Sequence, residues 1–256
     1  MSEKLSGLLI LPGHAIYRDG VWHGIERGGR KAARVLEKHV ACACRIYRKR
    51  SYKALCVSGG CSRPDIEAVR NVSEAAGLTA FIQENTEELN AFGIELIEES
   101  WARDSFENMF FSLLAYHQRY ETWPERVGVV SWKYKALRFY AAAIGLGIAE
   151  CFVFYGCGDV VGTEAVTDVT RREAENLARI VQEVEGKREV RDPLHRGKWF
   201  QDKRRKRMPS NITDNDVYLN DVKNVYRQGA HLIDSVERSK IGGWSGIKWP
   251  WSGKGN

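Results

Sequence analysis

Residues 7–13, Gly-Leu-Leu-Ile-Leu-Pro-Gly, form a short run of large aliphatic side chains that ends at a Pro-Gly turn signal. An unbroken apolar run of this length is typical of a strand that is buried on both faces. Strands of that kind occur in parallel sheets whose two sides are covered by helices. The beginning of the chain therefore predicts an α/β fold.

Apolar runs and helical spacing alternate along the rest of the chain. Further strands are predicted by the apolar runs at 54–57, 80–83, 95–98, 126–130 and 152–155. Helical spacing predicts helices at 30–49, 64–76, 86–93, 105–120, 133–144 and 171–185, with Gly77 as the stop signal of the second. Alternating strands and helices predict a mostly parallel central sheet that is covered by helices on both faces.

The composition of the chain changes near Arg191. Lysine and arginine cluster there first, and a tail rich in tryptophan and glycine follows. We therefore predict an α/β domain over residues 1–190 and a basic, Trp/Gly-rich C-terminal extension over residues 191–256 that packs on it.

The bulk composition is that of a soluble globular protein of 256 residues, with 43 % hydrophobic and 28 % charged residues. No apolar run approaches the roughly 20 residues that cross a bilayer, and residues 1–5 lack the apolar region of a secretory signal. A cytoplasmic protein without a transmembrane segment is expected. The net charge of +6 is concentrated in runs such as 45–50 and 203–207. No nucleic-acid-binding motif accompanies them, so we expect no specific nucleic-acid partner.

Six cysteines are present. The large core and the lack of a signal favour reduced thiols, most of them buried, with Cys61 as the candidate for a reactive thiol. No CxxC pair occurs, so no structural metal site is expected.

A polar stretch, Ala-Arg-Asp-Ser-Phe-Glu-Asn at 102–108, stands directly before an apolar helical run. The backbone N–H groups of the first turn of a helix are unpaired, and the helix dipole there favours negative charge. The stretch therefore predicts one side of a site for a small anionic or polar ligand. Its candidate ligand-binding residues are Arg103, Asp104, Ser105 and Asn108. Glu107 is a candidate general base or metal ligand, or else a cap of the helix.

Three other polar segments also follow predicted strands: Gly13-His14, Ser58-Gly59-Gly60, and the segment from Ser131 to Arg138. Because the carboxyl ends of parallel strands meet at one edge of a sheet, all four segments are predicted to surround a single pocket.

The segments offer distinct chemistry, and each has a structural alternative. His14 is the best histidine for proton transfer, or it is a loop residue bonded to backbone; His39, His117, His195 and His231 are predicted to be surface or packing residues. The N–H groups of Gly59 and Gly60 could hold an anion, or they form a tight turn. Arg103 and Arg138 could clamp an anion, or they pair with nearby carboxylates.

The motifs that carry a family resemblance are, in order, Gly13 after the first strand, Ser58-Gly59-Gly60 after the second, Glu67-Ala68 on the next helix, Asp104-Ser105 with Glu107-Asn108, and Lys135 with Arg138 after a later strand. This order resembles the YdcF-like family, also called the ElyC/SanA group. The match covers about residues 7–210 and is closer to the fungal-type branch. Lys135 stands where bacterial members carry histidine, and Ala102 where many carry serine.

The resemblance implies a Rossmann-like three-layer fold and a ligand-binding role for Glu67. It also implies a nucleotide-type ligand, because a bacterial member is associated with S-adenosylmethionine. GxGxxG, P-loop and GxSxG motifs are absent from the sequence, which argues against dinucleotide oxidoreductases, P-loop nucleotidases and α/β-hydrolases.

Two functional hypotheses follow. The first is an enzyme that acts on a phosphorylated or nucleotide substrate, with His14, Glu107 and Lys135 as catalytic residues. The second is a non-catalytic module that binds S-adenosylmethionine or a nucleotide. The sequence leaves the cofactor, the substrate and the oligomeric state open.

Overall fold

A computed structural model describes residues 6–25, 29–50, 52–63, 65–102 and 104–158, together with residues 174, 175 and 178. The strands are β1 (Gly7–Pro12), β2 (Ile16–Arg18), β3 (Val21–His23), β4 (Ala54–Ser58), β5 (Leu96–Glu99), β6 (Arg126–Ser131) and β7 (Phe152–Gly156). The α-helices are α1 (Gly29–Lys49), α2 (Glu74–Glu84), α3 (Ser105–Tyr120) and α4 (Ala136–Gly145). Short 3₁₀ turns cover Glu67–Val69, Lys133–Lys135 and Ala149–Cys151.

The central sheet has five parallel strands in the order β5-β4-β1-β6-β7. A separate two-stranded hairpin, β2-β3, follows β1. The chain leaves β1 toward β4 on one side and later returns to place β6 on the other side of β1. The predicted α/β, Rossmann-like three-layer fold is confirmed, and its strand order reverses between β1 and β6.

The two faces of the sheet carry two separate apolar clusters. Leu8 and Ile10 point into the cluster formed with α3 and α4, whereas Leu9 and Leu11 point into the cluster formed with α1 and α2. All four side chains are at most 1 % exposed. The unbroken apolar run of β1 therefore reflects a central strand with a helix layer on each face.

The prediction for the segment after β4 was wrong at several points, and the helix predicted at 64–76 begins only at Glu74. Residues 80–83 belong to α2 and form no strand, and Gly77 lies inside that helix and does not end it. A Cβ atom on Gly77 would lie 2.5 Å from the backbone nitrogen of Tyr17, so the missing side chain lets α2 approach the hairpin. Residues 86–93 form turns and not the predicted helix, and the hairpin itself was not predicted.

The expectation of reduced thiols was wrong for one pair of cysteines. Cys42 on α1 and Cys157 after β7 form a disulfide, while Cys44 and Cys56 are buried thiols.

The predictions for the C-terminal part of the chain are largely untested. Most of the helix predicted at 171–185, the boundary at residue 190 and the C-terminal extension over 191–256 lie outside the described residues. Among the residues that are described, no helix is long and apolar enough to cross a membrane.

Candidate functional site

The carboxyl ends of the central strands, with the loops that follow them, form the edge that we call the carboxyl rim. Ligands in open α/β sheets bind outside this edge at the point where the strand order reverses. In this chain that point lies between β1 and β6, which are followed by His14 and by Ser131 to Lys135. The fold therefore brings the first and the last of the predicted polar segments to the same position.

His14 and Lys135 are in direct contact at this position. Lys135 Nζ lies 2.9 Å from His14 Nδ1 and 3.2 Å from Nε2, and Ser131 Oγ lies 3.4 Å from Nε2. A neutral imidazole has one acceptor nitrogen and one N–H group. Because the ammonium is nearest to Nδ1, we assign Nδ1 as the acceptor and the N–H to Nε2, facing Ser131. Ser131 is the last residue of β6 and is fully buried, so the strand fixes where its hydroxyl lies.

The surroundings of His14 keep its ring neutral. Burial lowers the pKa of His14 well below its ordinary value, and the positive charge of Lys135 lowers it further. His39 and Arg138 act in the same direction on this pKa, which places Arg138 within electrostatic reach of the ring. His14 and Arg138, two of the predicted site residues, therefore lie within electrostatic reach of each other.

His39 belongs to this group, although the sequence suggested only a surface or packing role. It is buried, and its Nε2 bonds to the carbonyl oxygen of Cys157. Its ring packs edge-on against Trp132 at 4.7 Å and lies 6.1 Å from the ring of His14. It lies in α1, whose helical periodicity gave no sign that this position faces the carboxyl rim.

Glu74 is a second residue that sequence reasoning missed. Its side chain covers both glycine loops: Cβ atoms built on Gly13 and Gly59 would lie 2.6 and 2.7 Å from Glu74 Oε2. Ser73 caps α2 through a bond from the backbone N–H of Ala76, so Glu74 stands in the first turn. A signal was present, because Ser73 precedes the second Glu-Ala pair in the chain.

Glu74 combines a half-buried carboxyl group with a cationic neighbour. Burial raises the pKa of Glu74, while a hydrogen bond from Ser62 and the charge of Lys135 act to lower it. The ammonium of Lys135 therefore acts on both His14 and Glu74.

Glu67 does not hold the position that the family resemblance implied. It lies exposed in the short 3₁₀ turn Glu67–Val69, whereas Glu74 lies against Gly13 and Gly59. Of the two Glu-Ala pairs, the one at the start of α2 lies against the glycine loops.

The backbone N–H groups of the glycine loops are already paired. Gly13 donates to the carbonyl of Ser58, Gly59 to that of Glu99, and Gly60 to that of Ala102, at 2.7 to 2.9 Å. This contradicts the predicted role of Gly59 and Gly60 as free donors for an anion. The Ser58-Gly59-Gly60 segment is a tight turn that joins β4 to its neighbours; the missing side chain of Gly59 leaves room for Glu74, and that of Gly60 leaves room for the backbone of Trp101 and Ala102.

Ser58, Glu99 and Asn108 form a buried polar cluster below this turn. Ser58 Oγ lies 2.5 Å from Glu99 Oε2 and 2.8 Å from Asn108 Oδ1. The backbone N–H groups of Trp101 and Ala102 donate to Glu99 Oε1 at 2.6 and 3.0 Å. Glu99 was not among the predicted site residues, because a glutamate at the end of a four-residue strand carries no distinguishing pattern.

The polar stretch before α3 acts mainly in starting the helix. Asp104 is the N-cap, and its Oδ1 accepts from the backbone N–H of Glu107 at 2.9 Å. The cap is thus Asp104, not Glu107. Ser105, Glu107 and Asn108 are buried in the first turn, with Glu107 only 2 % exposed. Arg103 lies outside the described residues.

The rim can act on a ligand through two kinds of group. Cationic side chains are supplied by Lys135 and Arg138, and proton-transfer groups by His14 and Glu74. Within the described ranges, no group of three or more His, Cys, Asp or Glu side chains is placed to hold a metal ion.

No protein-family model matches this chain, and searches of curated proteins and of solved structures give no match either. Inference about its function therefore depends on the residues and contacts of the carboxyl rim.

Proposed function

We propose that this protein binds a small anionic or nucleotide-like ligand at the carboxyl rim between β1 and β6, and that it acts as an enzyme on a phosphorylated or nucleotide substrate. The observation that carries the proposal is the contact of Lys135 Nζ with the ring of His14, 2.9 Å from Nδ1, at the reversal of the strand order. It joins a cation to a proton-transfer group where open α/β sheets bind ligands.

The charges near this contact favour a negative ligand. Lys135 and Arg138 both act on the half-buried His14, whose neutral ring adds no negative charge to balance them. A phosphate or carboxylate placed beside them would accept charge-assisted hydrogen bonds. Glu74, on the other side, would favour a ligand oxygen that carries a proton.

Ligand binding would also adjust the proton-transfer group. Because the positive field of Lys135 lowers the pKa of His14, an anion next to Lys135 would raise that pKa toward the neutral range. When the anion accepts from the Lys135 ammonium in place of the ring, His14 Nδ1 is released and would take up a proton from the substrate or from water, as a general base does. The family resemblance supports the same location, because its motifs supply Gly13, Lys135 and Arg138.

The alternative is a non-catalytic module that binds S-adenosylmethionine or a nucleotide. It is favoured by the burial of Glu107 and Ser131, which are 2 % and 0 % exposed. Groups so enclosed position their neighbours more readily than they attack a substrate. The same charges at the carboxyl rim would then serve recognition alone.

Native mass spectrometry of the freshly purified full chain, followed by calorimetric titration with inorganic phosphate, ADP and S-adenosylmethionine, tests the binding site. We expect Arg138→Ala to weaken binding of an anionic probe by about tenfold or more. Arg119→Ala is the matched control, since Arg119 pairs with Glu95, which precedes β5, away from the carboxyl rim. Equal affinity of wild type and Arg138→Ala for every probe that binds would contradict this assignment.

Turnover separates the two hypotheses. A panel of phosphatase, pyrophosphatase and methyltransferase substrates should be run on wild type, Lys135→Met and Lys133→Met, the last altering an exposed lysine of the same turn. Turnover that is lost only in Lys135→Met supports the enzyme. Binding at the carboxyl rim without turnover of any substrate supports the module.

A further inference from the structure

The cluster of Ser58, Glu99 and Asn108 is closed to solvent. The three residues are 0 %, 1 % and 8 % exposed, and they come from β4, β5 and the first turn of α3. Glu99 Oε1 is occupied by the two backbone N–H groups of Trp101 and Ala102. Its other oxygen, Oε2, is left to interact with Ser58.

The hydrogen count of this cluster requires one proton more than its groups carry when Glu99 is ionised. The Ser58 hydroxyl has one hydrogen, but two side-chain acceptor oxygens lie close to it, Glu99 Oε2 at 2.5 Å and Asn108 Oδ1 at 2.8 Å, while the backbone carbonyl of Asn108 lies farther away at 3.5 Å. Both contacts are satisfied when Glu99 carries a proton. Oε2–H then donates to Ser58 Oγ, and Ser58 donates to Asn108 Oδ1.

The ionised state requires the opposite arrangement. A Glu99 carboxylate can only accept, so the hydrogen of Ser58 must turn toward Oε2. Ser58 Oγ then needs a donor from Asn108, and a half-turn of the amide supplies Nδ2 in place of Oδ1. The two amide atoms differ little in size, so the exchange changes the polarity that the side chain presents and leaves its shape nearly the same.

We propose that Ser58, Glu99 and Asn108 form a proton-controlled relay in which protonation of Glu99 reverses the hydrogen bonds through Ser58 and turns the amide of Asn108. The atom of Asn108 that faces away from Ser58 is then a donor in the protonated state and an acceptor in the ionised state. The relay is independent of the proposed ligand, because all of its parts belong to the fold.

The groups around Glu99 place its proton exchange near neutral pH. Burial raises the pKa of Glu99 to about 7, against the hydrogen bonds from Ser58 and from the backbone of Trp101 and Ala102. The negative charge of Glu107 on α3 raises this pKa further. Cys56 on β4 is a buried thiol that lies within electrostatic reach of Glu99. Burial raises the pKa of Cys56 as well.

Two further carboxyl groups lie on the elements around the relay. Glu98 precedes Glu99 on β5 and is exposed. Glu74 on α2 lies against Gly13 and Gly59, over the turn that Ser58 begins.

The relay is joined to the carboxyl rim through the backbone. The carbonyl of Ser58 accepts from the N–H of Gly13, and the carbonyl of Glu99 accepts from the N–H of Gly59. A change in the hydrogen bonds of the relay therefore acts directly below the loop that carries His14 and the glycine turn that Glu74 covers. Glu99 is a positioning residue in this arrangement, not a catalytic one.

The test is the side-chain amide signal of Asn108 in ¹⁵N-labelled full-length protein, assigned by its loss in Asn108→Ala and followed from about pH 5 to about pH 9. We expect the wild-type signal to move in one step with a midpoint near pH 7. In Glu99→Gln the introduced amide accepts from the two backbone N–H groups and donates to Ser58, as the protonated acid does. Its signal is expected to stay at the low-pH position throughout.

Two further variants make the result specific. Glu98→Gln changes the exposed neighbour and is expected to keep the wild-type response. Ser58→Ala removes the connection between the two ends, so the Asn108 signal is expected to lose its step while Glu99 still titrates.

A wild-type Asn108 signal that does not change between these pH values overturns the relay. So does a step that persists unchanged in Glu99→Gln or in Ser58→Ala. Should Glu99→Gln not fold, the wild-type and Ser58→Ala titrations decide the question without it.

Discussion

Lys135 Nζ lies 2.9 Å from Nδ1 of His14, a residue 121 positions earlier in the chain. The contact exists because β1 and β6 are adjacent parallel strands that end at the same edge of the sheet. An ammonium that donates to an imidazole holds the ring neutral and fixes its acceptor nitrogen. The pair therefore places a positive charge and a neutral imidazole together at the carboxyl rim.

Replacing Lys135 with methionine is expected to raise the pKa of His14. The substitution removes the positive charge that lowers this pKa, while burial, the larger cause, remains, so the value stays below the ordinary one. The midpoint of the His14 ring-proton signal in an NMR titration measures the change. Lys133→Met is the control and should leave the midpoint in place; an unchanged midpoint in Lys135→Met would show that the two groups are not coupled.

Glu99→Gln is expected to remove a pH dependence of stability. The folded-state pKa of Glu99 is raised to about 7 from 4.5, so the folded state holds this proton more tightly than the unfolded state does. This group therefore makes the wild type less stable as pH rises from about 4.5 to about 7, by an amount on the order of 3 kcal/mol. Above that range its contribution no longer changes.

Urea unfolding at a series of pH values measures this difference between wild type and Glu99→Gln. The gap in unfolding free energy should widen in favour of the variant across that interval. Glu98→Gln serves as the exposed control and should follow the wild type. Parallel curves for wild type and Glu99→Gln would mean that Glu99 is ionised in the folded state throughout.

Gly77→Ala is expected to destabilise the protein, although helix propensity alone predicts the reverse. In an open helix the change would stabilise by up to about 1 kcal/mol. Here the new Cβ would lie 2.5 Å from the backbone nitrogen of Tyr17, so α2 or the β2-β3 hairpin must move. A loss of about 1–3 kcal/mol in thermal or urea unfolding is expected, against little change for the exposed Gln83→Ala on the same helix. A gain in stability would contradict the close approach.

Asp104→Ala tests whether this residue caps α3. Its Oδ1 accepts from the N–H of Glu107, so removal of the acceptor is expected to cost about 1 kcal/mol of unfolding free energy. Asp104→Asn keeps the acceptor and should retain most of the stability. If Asp104→Asn instead lost as much as Asp104→Ala, the negative charge, and not the cap, would be the important property.

The strands of the central sheet and α3 could be predicted because their signals are local. Apolar runs identified β1, β4, β5, β6 and β7, and the polar start followed by apolar residues identified α3. The α2 segment failed because Gly77 is a stop signal in most helices, and only the approach of Tyr17 explains its presence inside this one.

The site residues divide in the same way. His14, Ser131 and Lys135 were predicted from their positions after strands, and the structure brings them into contact. Glu74 and Glu99 were missed, because a glutamate looks the same in sequence whether its carboxyl group is exposed or buried.

From the order of residues alone came the alternation of strands and helices, the parallel sheet and the edge at which polar segments collect, because these follow from periodicity and from the geometry of parallel strands. The folded chain was needed to show which donors remain for other partners. The N–H groups of Gly59 and Gly60 donate to backbone carbonyls between β5 and α3, and the ammonium of Lys135 donates to His14. Such pairings depend on distances between residues far apart in sequence, and packing alone sets those distances.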